Sequence, residues 1–210
     1  MLNQQSKINL IQDSFNSIHL DIGCGANPRN PFNCTHVVGL DICDRCSPGN
    51  NFLFVQADPC LEPLPFPDSH FDSVSAFDFL EHVPRLVYLE RKPFFPFIHL
   101  MNEIHRVLKP GGYFLAITPL YPMDSTFSDP THVNPITIKT LAYFAYPHLF
   151  ARMYGFTGCF RVIHNMRVNF QYYLDSLIQR PSLKSFMRVA MGYIFPRIKQ
   201  HITWCLVADK

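Results

Sequence analysis

The sequence predicts an α/β chain built on a parallel, doubly wound sheet, and three observations predict it. Seven short apolar runs read as strands, with the clearest helical stripe lying between two of them. The runs do not alternate strictly, as expected for strands covered on both faces. The first three strands in succession end in glycine or aspartate, the chemistry of a ligand crevice at the carboxyl edge of such a sheet.

The elements follow in order. A weak helical pattern covers residues 7–16 through Ile8, Ile11 and Phe15. Strands are predicted at 17–22, 36–41 and 51–56, then a link with Pro59, Pro63, Pro65 and Pro67, then a strand at 71–77. Phe97, Leu100, Met101, Ile104 and Leu108 make the stripe of a helix over about 93–108. Lys109-Pro110-Gly111-Gly112 ends it, because proline cannot continue a helix and glycine tolerates positive φ. A fifth strand at 113–118, a helix near 136–145, a strand near 160–168 and a last strand at 201–207 complete the chain. About eleven residues, Pro28 and Pro31 among them, separate the first two strands, where a parallel crossover needs about a dozen or more. The first crossover helix is therefore stunted or replaced by a loop.

The chain has 210 residues, 48% hydrophobic and 16% charged, which suits one domain over 1–210 and excludes a disordered chain. No repeat is visible, and no run approaches the ~18 apolar residues of a membrane span. The first fifteen residues lack a basic start followed by an apolar run, so no secretory leader and a cytoplasmic location are expected. Seven cysteines, an odd number, read as reduced and partly buried thiols. The Cys43–Cys46 pair has only Cys34 and Cys60 nearby, a spacing that fits no common zinc pattern, and a loop follows it. No metal site is expected from it. Net charge is +2, unevenly spread: residues 1–149 hold nine Lys and Arg against fourteen Asp and Glu, residues 150–210 nine against two. A basic final third can attract phosphates, anionic lipid or nucleic acid, or be a solvated face.

The first strand runs into Asp21-Ile22-Gly23-Cys24-Gly25, where glycines let backbone N–H groups approach a ligand. The third glycine of the dinucleotide fingerprint is missing and Ala26-Asn27-Pro28 follows, which counts against NAD or FAD. Asp41, at the end of the second strand, can accept both hydroxyls of a ribose, or be a turn aspartate. Asp58, after the third, can accept a hydrogen bond from an adenine amino group.

These residues, with HLDIGCG (19–25), VVGLDI (37–42), QAD (56–58), LPFPDSHFDSVSAFDFLEHV (64–83) and EIHRVLKPGGYFLAITP (103–119), resemble the class I S-adenosylmethionine-dependent methyltransferases, in particular the type 11 branch. The resemblance covers 17–120 well and 129–168 loosely. It implies a Rossmann-like sheet of seven strands, mostly parallel, the last antiparallel and inserted beside the sixth. It implies S-adenosylmethionine as cofactor, with Asp21, Gly23 and Gly25 lining its methionine part. Asp41 would hold the ribose, Ala57 and Asp58 the adenine, and Phe77 and Asp78 would sit beside it. Glu81-His82 matches the family's Glu-His pair; its structural reading is a helix start or a loop clamp. The family's helix after the first glycines is replaced here by a short Pro-rich segment, which would leave the methionine end of the pocket more open. Its short hairpin before the last strand is replaced by about 30 residues, a helical insertion or lid over 169–200.

Methyl transfer from a sulfonium is an in-line displacement in which positioning supplies much of the catalysis, and a base is needed only when the acceptor holds its proton. His132 is the candidate base, in the loop of residues 128–135 with Asp129 and Thr131; the competing reading is a histidine that fixes the loop. In the insertion, Leu183, Phe186, Met187, Ala190 and Ile194 share one helical face and Lys184 and Arg188 lie on another. This is a lid, a membrane-surface helix, a dimer contact or a helix packed on the core. Tyr172 and Tyr173 with Arg161 and Arg167 can face an anionic acceptor. The basic residues are dispersed and form no nucleic-acid module. The reading is a methyltransferase of a small-molecule or sugar acceptor, anionic or glycan-linked, acting at oxygen. Its rivals are an inactive cofactor-binding module or scaffold and a nicotinamide enzyme.

Overall fold

The computed structural model describes residues 17–44, 52–168 and 200–210. The predicted helix at 7–16, Cys46 and all of the predicted 169–200 insertion but Gln200, with its predicted helical face, lie outside them. Nine strands are described: β1 (Ile18–Ile22), β2 (His36–Asp41), β3 (Leu53–Gln56), β4 (Phe71–Phe77), β5 (Val87–Leu89), β6 (Lys92–Phe94), β7 (Leu108–Pro119), β8 (Phe160–Val168) and β9 (His201–Ala208). Seven form one sheet in the order β3-β2-β1-β4-β7-β9-β8. All neighbours are parallel except that β9 runs antiparallel to both β7 and β8. This is the predicted α/β architecture, with the last strand inserted beside the sixth.

Helix α1 (Pro96–Val107) buries Phe97, Leu100, Met101, Ile104 and Val107 on one face. Pro96 takes the first turn, where a missing N–H costs nothing, and Pro110 disfavours helical backbone at Lys109. The structure moves the start of the next strand: β7 begins at Leu108, not at 113, and bulges between its pairings with Phe71 and Ser73. Gly111, with φ of 76°, lies in that bulge. The helix expected near 136–145 is a single 3₁₀ segment over Ile138–Tyr143. Among the described residues α1 is the only α-helix.

Alternation along β1 and β4 divides two faces. Leu20, Ile22, Val74 and Ala76 join the core under α1. Phe77, Leu115, Ile117, Val168 and Cys205 form a smaller cluster on the other face, with Phe32 packed against it. Phe32 belongs to the loop between β1 and β2, so that loop covers the sheet where a crossover helix would lie. The six described cysteines form no disulfide with one another.

Candidate functional site

The carboxyl ends of β3, β2, β1 and β4 are adjacent in the sheet, and the strand order, not the strand direction, reverses between β1 and β4, where open α/β sheets carry their ligands. The turn after β1 is locked by its neighbour. Gly23 has φ of 67° and donates its N–H to Leu40 O at 2.8 Å; Gly25 has φ of 59° and donates to Asp41 Oδ2 at 2.9 Å. A Cβ built on Gly23 would meet Phe79 Cδ2 at 2.4 Å, whereas one on Gly25 would meet nothing within 4 Å. Asp41 also accepts the N–H of Cys43 at Oδ1, and its carbonyl accepts that of Ala57. Asp58 accepts the N–H of Cys60 at Oδ1.

Asp21 is turned into the protein rather than toward open space. Its Oδ1 accepts Ser75 Oγ–H at 2.6 Å and its Oδ2 accepts the N–H of Arg29 at 2.8 Å, tying down the far end of the same loop. Burial pushes its carboxyl up to about 6, against those two hydrogen bonds. Ser75 accepts in turn from His19 Nε2, and His19 Nδ1 meets Ser73 Oγ. Phe77 is likewise buried, with the Arg29 guanidinium 4.9 Å over its ring. Asp78 follows at φ of 47°; its buried Oδ1 makes no hydrogen bond among the described residues and stands 3.5 Å from His201 Nε2.

The loop after β7 closes on the turn after β4. The Glu81 carbonyl accepts the N–H groups of Val133 and Asn134, both at 2.9 Å, so the Glu-His turn is a loop clamp. The Glu81 side chain is 1% exposed; Oε2 accepts Thr118 Oγ1–H, and burial, aided by the charges of Asp78 and Asp129, raises its carboxyl to about 8. His132 Nδ1 lies 3.1 Å from Thr126 O. A carbonyl only accepts, so Nδ1 carries the proton and Nε2 of the neutral ring has the lone pair. That Nε2 lies 4.0 Å from Glu81 Oε1 and 3.9 Å from Asp129 Oδ2. Thr131 donates both its hydroxyl and its N–H to Asp129 Oδ1, which holds the Asp129 carboxyl below its usual range. With its single proton so committed, Thr131 Oγ1 accepts from His82 Nδ1 at 3.0 Å. His82 and His132 meet edge to face, ring centroids 4.8 Å apart.

A cavity of about 550 Å³ opens beside this loop, walled by Phe95, Phe97, Tyr143 and Tyr154, with Arg85 and Lys139 also lining it. It is joined to the Glu81 turn by Asn134, whose Oδ1 accepts Arg85 Nε–H and whose Nδ2 donates to Leu80 O. The sequence reading had the crevice aspartates and His132 but not Arg29, Ser75, Thr118 or Thr126. The one available signal was small polar residues two apart in the fourth strand, opposite His19 and Asp21 in the first.

Residues 20–116 match a family described as a methyltransferase domain. The ubiquinone/menaquinone biosynthesis C-methyltransferase UbiE of Pseudomonas fluorescens is 29% identical over 164 residues, 78% of this chain. The match spans about half, 52%, of that relative's length. Among solved structures, a chain of the complex containing the Haloferax volcanii Trm112 methyltransferase activator superposes with a TM-score of 0.57 at 19% identity, covering 98% of this chain and 89% of that one. An S-adenosylmethionine-dependent methyltransferase from Mesorhizobium loti gives 0.54 at 13% identity, covering 96% of each. At these identities the likeness is one of fold.

Proposed function

We propose that the chain, whose residues 20–116 match the methyltransferase-domain family, binds S-adenosylmethionine across the carboxyl ends of β3, β2, β1 and β4 and methylates a small hydroxyl-bearing acceptor. The observation that carries the reading is the clasp between Gly25 and Asp41. It fixes a glycine over open space beside a half-buried carboxylate that retains acceptor capacity. Those residues fit a nucleoside with an aliphatic tail. Asp41 accepts the ribose hydroxyls, Asp58 with Ala57 holds the adenine, and the backbone of Gly23 and Gly25, braced from below by Asp21, lies along the methionine part. Asp78, beside Phe77, flanks the crevice after β4. The cofactor supplies a methyl group on a positively charged sulfur, already a good leaving group.

On the acceptor side, the aromatic walls of the cavity suit a planar ring or the apolar face of a sugar, and Arg85 and Lys139 suit a negative substituent. His132 offers Nε2 to the acceptor's proton, with its Nδ1–H held by Thr126 O and with Asp129 beside it. Attack by the freed oxygen gives O-methylation. A second reading is carbon methylation of a phenolic ring, favoured by the relative named a C-methyltransferase. It needs the same proton removal, since a phenolate also pushes electron density onto its ring carbons. The nuclear magnetic resonance spectrum of a product from hydroxylated aromatic and sugar acceptors separates the two.

Calorimetric titration with S-adenosylhomocysteine, beside NAD, tests the cofactor site. Micromolar binding of the first alone is expected. Asp41→Ala removes charge-assisted hydrogen bonds worth ~1.5–3 kcal/mol each, so affinity falls at least tenfold in a protein whose melting curve shows it folded. Unchanged affinity would place the site elsewhere. Binding without methylation of any acceptor would favour a cofactor-binding scaffold.

A further inference from the structure

One ligand atom from each of Glu81, His82 and His132 lies within 4.8 Å of the other two. Three observations separate this cluster from a chance meeting of polar side chains. Glu81 Oε1 is buried, makes no hydrogen bond among the described residues and stands 4.0 Å from His132 Nε2. Leaving a buried acceptor unsatisfied costs ~1–3 kcal/mol, more for a charged group. Both imidazoles have the proton on Nδ1 engaged by an outer partner, the Thr126 carbonyl for His132 and the Thr131–Asp129 pair for His82. That leaves a lone pair on each Nε2, and outer carbonyls and carboxylates fix ligating histidines in this way. Finally, the turn and the loop that carry the three residues are pinned together by the Glu81 carbonyl.

We propose that Glu81, His82 and His132 form a binding site for one divalent transition-metal cation. Two imidazoles and one carboxylate suit manganese, iron, cobalt or zinc better than calcium, and three ligands leave positions open for an oxygen of another molecule. Three atoms within 4.8 Å of one another lie at most about 2.8 Å from a common centre, against ~2.0–2.2 Å for metal bonds to nitrogen and oxygen. Each side chain must therefore close by less than about 1 Å. Cysteine spacing points to no metal, but this set joins adjacent Glu81 and His82 to His132, about 50 residues further along the chain.

The role of the ion, though not its binding, rests on the methyltransferase reading. His132 Nε2 cannot hold a cation and receive a proton at once. In the loaded protein the cation takes over the task of the imidazole: it binds the acceptor hydroxyl and lowers its pKa. The proton leaves to water, an oxygen lone pair forms the bond to the methyl carbon, and the carbon–sulfur pair returns to sulfur.

The test uses the full chain, stripped with a chelator and titrated with Mn²⁺, the free ion being followed by electron paramagnetic resonance. Manganese disfavours thiolates, so the cysteines do not compete. One ion per chain is expected, with His82→Gln and Glu81→Gln each weakening binding at least tenfold and the exposed His148→Gln leaving it unchanged. His82 is only half-buried, so that variant decides the matter if Glu81→Gln fails to fold. No bound ion, or binding indifferent to His82→Gln, overturns the site. S-adenosylhomocysteine is titrated into the same preparation. Nucleoside bound without manganese overturns the metal site alone. Manganese bound without nucleoside leaves the metal site standing and removes the methyl-transfer reading.

Discussion

Gly23 and Gly25 both adopt left-handed backbone on one turn, yet they are needed for different reasons. An L-residue in that region costs ~1–2 kcal/mol at either position. At Gly23 the added methyl also meets the Phe79 ring at 2.4 Å, and Phe79 packs against the main core and cannot swing away freely. Gly23→Ala should therefore lower the unfolding free energy by roughly 2–4 kcal/mol. Gly25→Ala meets no protein atom and should lower it by only ~1–2 kcal/mol. Its methyl group fills the space assigned to the cofactor, so affinity for S-adenosylhomocysteine should fall more than tenfold. Urea denaturation and calorimetry on the two variants separate the effects; a Gly25→Ala protein that binds normally would show that no ligand approaches that turn.

At the scale of elements, the Pro-rich segment before β4 is held to α1 by one arginine. Arg106 donates to the carbonyls of Leu64 and Phe66 and pairs with Asp68 at 2.8 Å and Glu103 at 2.6 Å, while Glu103 Oε2 accepts the N–H of Leu64. Lys109 pairs with Asp72, whose Oδ2 accepts the N–H of Ile18. Arg106→Ala should cost about 2–4 kcal/mol, because Glu103, 11% exposed, loses its partner. Asp68→Ala, at a side chain 77% exposed, should cost under about 1 kcal/mol. Equal losses in urea would mean that the exposed pair, not the buried one, holds the clasp. This clasp explains why the two segments around 64–72 and 103–112 are so specific as a pair: they are a structural joint and were legible for that reason. Other elements were not legible. The β5–β6 hairpin turns on Glu90 and Arg91, at φ of 50° and 67°, where a hairpin signal would be Asn-Gly. Lys109 to Gly112 reads as a helix stop, and nothing local shows that a strand is already under way as a bulge. The crevice aspartates were legible because each ends a strand. The meeting of Glu81 with His132 was not, because it depends on how the loop after β7 folds back.

At the scale of the whole molecule, the sheet face opposite α1 carries a buried polar chain of His19, Asp21, Ser73 and Ser75. Ser75 Oγ–H goes to Asp21, so His19 Nε2–H must donate to Ser75, and Ser73 Oγ–H donates to His19 Nδ1. His19 is thus neutral, and burial pushes its imidazole down to about 3 from an ordinary 6.5. Above pH 6.5 neither the folded nor the unfolded form binds this proton, and stability is unaffected. As pH falls from 6.5 toward 3 the unfolded chain takes up a proton that the folded protein refuses, and stability is lost at about 1.4 kcal/mol per pH unit. Asp21 acts in the opposite sense. Its folded value near 6 lies above the ordinary 3.8, so its ionisation burdens the folded state at neutral pH and the burden lifts as pH falls from 6 to 3.8. The two nearly cancel in that window, so the plain stability profile conceals both. His19→Gln separates them, because an amide can accept from Ser73 and donate to Ser75 without titrating. The advantage of the parent over this variant, from urea midpoints, should be constant above pH 6.5 and shrink by about 2 kcal/mol on reaching pH 5. Parallel profiles across that range would mean that His19 keeps its ordinary proton affinity and that the face opposite α1 is wet rather than closed by the loop that carries Phe32.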